Sequence, residues 1–185
     1  MSEKINKLNL GCGENIKDGY INLDFRQNDN IDVVHDLNNY PWPFENNSFN
    51  EIIAHNVIEH LDNFILAMEE IHRISRDNAL IKISVPYWNS SFAYIDPTHK
   101  KGFHELSFSF FDSNSKYGKE RYYYTTARFK VESYSFFISP FAPYFLIPFF
   151  NTMEIKNKFL KKIIGILGNL FSNIILELRI ELNRV

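Results

Sequence analysis

A single cysteine, Cys12, occurs among the 185 residues. No internal disulfide can form, so the expected setting is a reducing, cytoplasmic one. Charge of one sign is also missing. Twenty Lys and Arg against 22 Asp and Glu leave a formal net charge of −2. That lacks the basic excess of a nucleic-acid binder, and no nucleic-acid partner is expected. No apolar run reaches the ~20 residues that span a bilayer, and the N-terminus carries no signal-peptide pattern. Aromatic residues, in contrast, are abundant. Eighteen Phe and ten Tyr point to a packed globular body rather than a disordered one. The length suits one domain, 1–185, large enough to bury a core unaided.

Short apolar runs dominate the first half. Residues 7–10, 20–25, 31–37, 49–54 and 79–85 read as strands, the last stopped by Pro86. Between the last two, Val57, Ile58, Leu61, Ile65, Met68, Ile71 and Ile74 recur at helical spacing, with Asn56 or Asp62 as candidate caps. Strand, helix, strand is a crossover unit, so its strands are expected to be parallel. The predicted fold is α/β: a Rossmann-like, mostly parallel sheet with helices on both faces. Past Pro86 the chain becomes aromatic and polar. Residues 129–138 read as a strand, and 140–150 are apolar but hold three prolines, which fits neither a long helix nor a central strand. Residues 156–171 read as an amphipathic helix and 174–185 as a closing strand.

Leu8-Asn9-Leu10-Gly11-Cys12-Gly13 ends a strand on Gly-x-Gly. Such a turn can bend sharply and bring backbone close to a ligand. Asp24 ends the next strand, where an acidic residue can accept hydrogen bonds from both hydroxyls of a ribose. The dinucleotide pattern asks for a third glycine and an acid ~20 residues on. Here the third glycine is missing and Asp24 follows Gly13 by eleven positions, so the first helix must be very short or absent. Pyrophosphate normally rests on that helix. A cofactor with a ribose and no phosphate fits better than NAD, which leaves an NAD-dependent oxidoreductase as the weaker alternative.

This opening, with Ile21-Asn22-Leu23-Asp24, resembles that of class I S-adenosylmethionine-dependent methyltransferases, specifically a compact type 11-like subgroup with a truncated first helix. His35-Asp36-Leu37 before Pro41-Trp42-Pro43-Phe44, residues 48–61, and Ala79 to Pro86 resemble that family's third-, fourth- and fifth-strand motifs in order. Asn50 stands where the family usually has aspartate. The resemblance covers roughly residues 7–86 and implies S-adenosylmethionine as cofactor, an antiparallel last strand, and a cofactor half (7–86) followed by substrate loops (87–185). It implies a cofactor set of Gly11, Cys12, Gly13, Asp24, Asp36, Leu37, His55 and Asn56. Within that set Cys12 reads equally as a small residue in a tight turn, and Asp36 as an adenine partner or an Asx turn. Glu59 and His60 read as a helix start tied to a neighbouring loop.

Residues 96–105, Asp-Pro-Thr-His-Lys-Lys-Gly-Phe-His-Glu, follow the fifth strand on the side where such enzymes bind substrate. Methyl transfer to a hydroxyl requires removal of a proton, so His99, then His104, are the candidate bases; the alternative is that both pack loops. Asp96, His99, His104 and Glu105 are metal-ligand types, but their spacing matches no zinc pattern, and no metal is expected. The expected acceptor is a small molecule or a glycan hydroxyl, by analogy with polysaccharide-biosynthesis enzymes. A non-catalytic cofactor-binding partner protein is the alternative from another class. The apolar C-terminal region, with Lys156, Lys158, Lys161 and Lys162, is open to three readings: core or lid, homodimer interface, or peripheral membrane contact.

Overall fold

The computed structural model describes residues 6–138 and 153–185. Eight strands form one sheet in the order β3-β2-β1-β4-β5-β8-β6-β7. Strands β1 (Lys7–Leu10), β2 (Ile21–Asp24), β3 (Val33–Val34), β4 (Phe49–His55) and β5 (Ser75–Pro86) run parallel. Strand β8 (Ile175–Arg184) inserts antiparallel between β5 and β6 (Phe129–Ile138), and β7 (Met153–Ile155) pairs antiparallel on the far edge. The mostly parallel Rossmann-like sheet with a reversed last strand is therefore present.

The crossover between β4 and β5 is made in two pieces. A 3-10 turn, Ile58–His60, comes first, and helix α1 (Phe64–Ile74) follows. The cap of α1 is Asn63, whose Oδ1 accepts from Ile65 and Leu66 N–H at 3.0 and 3.1 Å. Neither Asn56 nor Asp62, the caps expected from sequence, takes that place. Asn56 instead sits at positive φ, +52°, a conformation asparagine tolerates better than most residues. Short helices α2 (Phe92–Ile95) and α3 (Lys116–Glu120) follow β5, and α4 (Lys158–Leu170) precedes β8.

The two faces of the sheet differ. Leu8, Leu10, Ile52, Ala54, Ile81, Leu178 and Ile180 are fully buried on one face with Ala67, Met68 and Ile71 of α1. Alternate residues on the other face are polar and only half-buried or exposed: Glu51, His55, Lys82, Arg179 and Glu181. Glu51 binds Lys7 and Lys82 there, at 3.1 and 2.8 Å. Helix α1 covers the apolar face, while the polar face is covered less, with Lys161 of α4 reaching its cleft beside Lys82 and Arg179. The cause is local. Residues 11–20 and 25–32 hold no helix. The first of these segments is pinned as a loop by buried asparagines: Asn9 Nδ2 donates to Asn15 O and to Asn22 Oδ1, both at 2.9 Å, and Asn22 Oδ1 also accepts from Lys17 N–H. The predicted shortness of the first crossover is what leaves this face open.

Strand β3 is shorter than residues 31–37 would allow. After Val34 the chain turns: Asp36 Oδ1 accepts from Asn38 N–H at 2.9 Å, an Asx turn that ends pairing. Helix α4 lies close to its neighbours at Gly168, where a Cβ would run into Ile175. Phe159, Leu160, Ile163, Ile166 and Leu170 are exposed on it among the described residues. The proline-bearing run 140–150 lies outside the described residues. No described helix is long and apolar enough to cross a membrane.

Candidate active site

The carboxyl ends of β1, β2 and β4 meet at one rim, the place where open parallel sheets take ligands. Gly11 and Gly13 leave β1 at positive φ, +56° and +53°. A Cβ at Gly11 would overlap the side chain of Val57, so this turn admits glycine only. Cys12 N–H donates to Leu23 O at 2.9 Å, which ties the turn to β2. The Asp24 carboxylate, almost wholly buried, closes the turn from the other side: Oδ2 accepts Gly13 N–H at 2.8 Å and Oδ1 accepts Arg26 N–H at 3.0 Å.

These residues border a cavity of about 650 Å³ whose lining includes Gly11, Gly13, Asp24, Asp36, Leu37 and Asn56. Six of the eight expected cofactor residues therefore meet at one place. Cys12 contributes backbone only; its side chain is buried, and burial together with Asp24 pushes the thiol up, away from the reactive thiolate. His55 is not brought to this cavity. It is the last residue of β4, beside Ser84, and strand alternation turns it to the polar face, where it borders a separate cleft with Lys82 and Arg179. Asp36 adopts its Asx turn and lines the cavity as well. Phe25, Arg26, Asn38 and Thr98 complete the wall without having been expected there.

A second cavity, of about 430 Å³, lies beside the first, and Asn56, His60 and Asp96 line both. Its other walls include Glu59, Phe92, His99 and Glu177. His99 thus lines the second cavity, with Nδ1 buried and unpartnered among the described residues. His104 is not in either cavity. Its Nδ1 accepts Leu106 N–H at 3.2 Å, and its ring packs beside Tyr87 and Trp88, which is the loop-packing alternative.

Glu59 and His60 carry more than a helix start. The backbone part of that expectation is present: Lys100 N–H donates to Glu59 O at 2.8 Å, tying the loop down. The Glu59 side chain, however, is fully buried and neither carboxylate oxygen has a partner among the described residues. Burial, with Glu177 and Asp96 nearby, pushes its carboxyl up to about 8. His60 Nδ1 lies 2.8 Å from Thr98 Oγ1, which donates its own proton to Asp96 Oδ1 at 2.6 Å. The hydroxyl must then accept from Nδ1–H, which leaves Nε2 with its lone pair. Burial and the neighbouring His99 hold the His60 ring below its ordinary value, which favours the neutral imidazole. The sequence signal for this pair was its position: two titratable residues just past the end of a central parallel strand.

Residues 16–83 match the family model described as a methyltransferase domain. The comparison with curated protein sequences gives no match. Among solved structures, an S-adenosylmethionine-dependent methyltransferase from Archaeoglobus fulgidus is 18% identical with a TM-score of 0.62, over 98% of this chain and 87% of that one. The YcgJ protein of Bacillus subtilis is 11% identical with a TM-score of 0.57, over 98% and 92%. The [4+2]-cyclase SpnF is 10% identical with a TM-score of 0.56, over 97% and 74%. At such identities the structures share a fold, and a fold hosts more than one reaction. The matched domain and the shared fold are those of S-adenosylmethionine-dependent methyltransferases, which implies S-adenosylmethionine as cofactor.

Proposed function

We propose that the chain transfers the methyl group of S-adenosylmethionine to a hydroxyl of a small-molecule or glycan acceptor. The observation that carries this reading is the pair of adjoining cavities sharing Asn56, His60 and Asp96. One has the features a nucleoside needs: a glycine turn open to close approach, a carboxylate at the end of β2, and a volume within the range of ligand sites. Gly11, Gly13, Asp24, Asp36, Leu37 and Asn56 would hold the cofactor. When bound, it supplies an electrophilic sulfonium methyl.

The protein's own contribution is placement and proton removal. In-line displacement needs the acceptor held against the methyl, which the second cavity does from the far side of Asn56. A hydroxyl acceptor must also lose its proton, and the cluster of Glu59, His60 and His99 is where that proton is handled. Hence His99 keeps its expected side of the reaction, and His104 holds a loop.

Two measurements test the reading. S-adenosylmethionine, and not NAD, should raise the melting temperature, since only a ligand of the native state stabilises it. Incubation with sugar and small-molecule hydroxyl acceptors should release S-adenosylhomocysteine. Stabilisation by NAD alone would overturn the cofactor assignment; binding without release for any acceptor would leave a cofactor-binding protein.

A further inference from the structure

The geometry points to a binding site for one divalent transition-metal ion, formed by Glu59, His60 and His99 and open toward the second cavity. Each residue offers one ligand atom, and the three atoms lie within 4.8 Å of one another. Two imidazoles and one carboxylate are a donor set for zinc, cobalt or iron that leaves coordination positions free. Ligands at about 2.1 Å in tetrahedral directions stand about 3.4 Å apart, so the widest separation would close by up to ~1.4 Å on binding.

The second observation is the state of these donors. Five buried side-chain polar atoms lack a hydrogen-bond partner among the described residues, and three of them belong to this cluster: both oxygens of Glu59 and Nδ1 of His99. A buried carboxylate with neither oxygen paired is costly, and proteins retain such groups for paired or metal-bound states. The other buried carboxylate of this half, Asp24, shows the usual outcome, with both oxygens accepting N–H bonds.

His60 is prepared for the same role from outside. The chain Asp96–Thr98–His60 fixes the proton on Nδ1, as argued above, and leaves the Nε2 lone pair available to a ligand. A carboxylate acting on the far nitrogen, directly or through a hydroxyl, is the usual support of a metal-bound imidazole. Among the described residues the cavity wall carries Asp96 and Glu177, the latter paired with Arg179 at 2.6 Å, and no Lys or Arg.

This inference departs from the expectation of no metal, which rested on the spacing of residues 96–105. The ligand set is split between that loop and the turn after β4, so the spacing of either segment does not show it. The role of the ion rests on the proposed methyl transfer: an acceptor hydroxyl ligating a free position would be acidified and lose its proton to solvent, and His99 would then serve through the ion rather than as the base itself. Occupancy of the site does not depend on that reading.

The test uses tag-free, full-length protein stripped with a chelator and titrated with Co²⁺ and Zn²⁺ in the absence of cofactor. Wild type should bind one equivalent of Co²⁺ with the visible absorption of a low-coordinate site, and Zn²⁺ should raise its melting temperature. Glu59→Gln and His99→Asn should each weaken binding at least a hundredfold and lose the Zn²⁺-dependent rise. Glu59→Gln should also melt close to metal-free wild type, since it keeps the size of a side chain that is buried and unpaired there. If it fails to fold, His60→Asn and His99→Asn carry the same binding readout. No saturable binding by wild type, or equal binding by the folded variants, overturns the site. S-adenosylmethionine affinity measured separately tells that failure apart from a failure of the cofactor assignment.

Discussion

Asp24 Oδ2 accepts the Gly13 N–H at 2.8 Å, so the carboxylate at the end of β2 holds the glycine turn at the end of β1. One residue therefore does two things. It sets the glycine turn, and it lines the cavity in which, on the proposed reading, a ribose would bind. Hydrogen bonds to a charged group contribute about 1.5–3 kcal/mol each. Asp24→Ala should lower S-adenosylmethionine affinity tenfold or more by isothermal titration, in a protein that remains folded by circular dichroism. Unchanged affinity in the folded variant would move the ribose elsewhere.

Gly11 tests the same cavity from its opposite wall. Its φ is +56°, and the space a Cβ would take is filled by Val57. Gly11→Val adds a branched side chain to a conformation it avoids and to a place already occupied. The variant should unfold at a lower denaturant concentration than wild type and bind no cofactor. A stable variant with normal binding would show that this turn is not the cofactor seat.

Most of this rim was legible in the sequence because its signals are local. The strand ending in Gly-x-Gly, the acid eleven positions on and the short first crossover all depend on neighbours in the chain. The strand at 129–138 was legible for the same reason. What escaped depends on contacts between distant segments. Glu59 is buried only because the loop after β5 returns over it, through Lys100 N–H on Glu59 O and the bridge of Tyr87 with Phe103. The pairing of β6 with β7 joins segments on either side of a proline-bearing run that gives no pairing signal. His55 is a different case: strand alternation alone puts it and its partner Ser84 on the polar face, and the family resemblance outweighed that signal.

Glu70 carries a pH-dependent part of the stability. Its carboxylate accepts Trp42 N–H at 2.7 Å and pairs with Arg73, also at 2.7 Å, while Trp42 Nε1 donates to Leu37 O at 3.0 Å. Burial by itself would raise the Glu70 carboxyl. The bonds from Arg73 and Trp42 outweigh it and hold the group below its ordinary 4.5. A lowered carboxyl stabilises the fold fully above its unfolded value, and the contribution is lost as pH falls through the folded value. Glu70→Gln should cost about 1–3 kcal/mol in urea unfolding at pH 7. The gap to wild type should shrink as the pH is taken below 4.5. A gap independent of pH would show that the charge of Glu70 contributes nothing. Because Leu37 lines the cofactor cavity, the variant should also bind S-adenosylmethionine somewhat more weakly.

His99 and His104 separate the acceptor side from the scaffold. His99 lines the second cavity and is absent from the lining of the first. Removing its ring should therefore reduce turnover by ~10²–10⁴, the range for loss of a proton-handling group, while S-adenosylmethionine affinity stays within about twofold. His104 is held by Leu106 N–H and packed beside Tyr87 and Trp88. His104→Ala should lower the melting temperature, with turnover per folded molecule close to wild type. The comparison needs steady-state release of S-adenosylhomocysteine with an active acceptor, and cofactor titration of both variants. If His99→Ala loses cofactor binding and turnover together, the residue belongs to the structure of the rim. If His104→Ala loses turnover while His99→Ala does not, the proton is handled on the far side of the loop, and the adjoining cavities are not the reaction chamber.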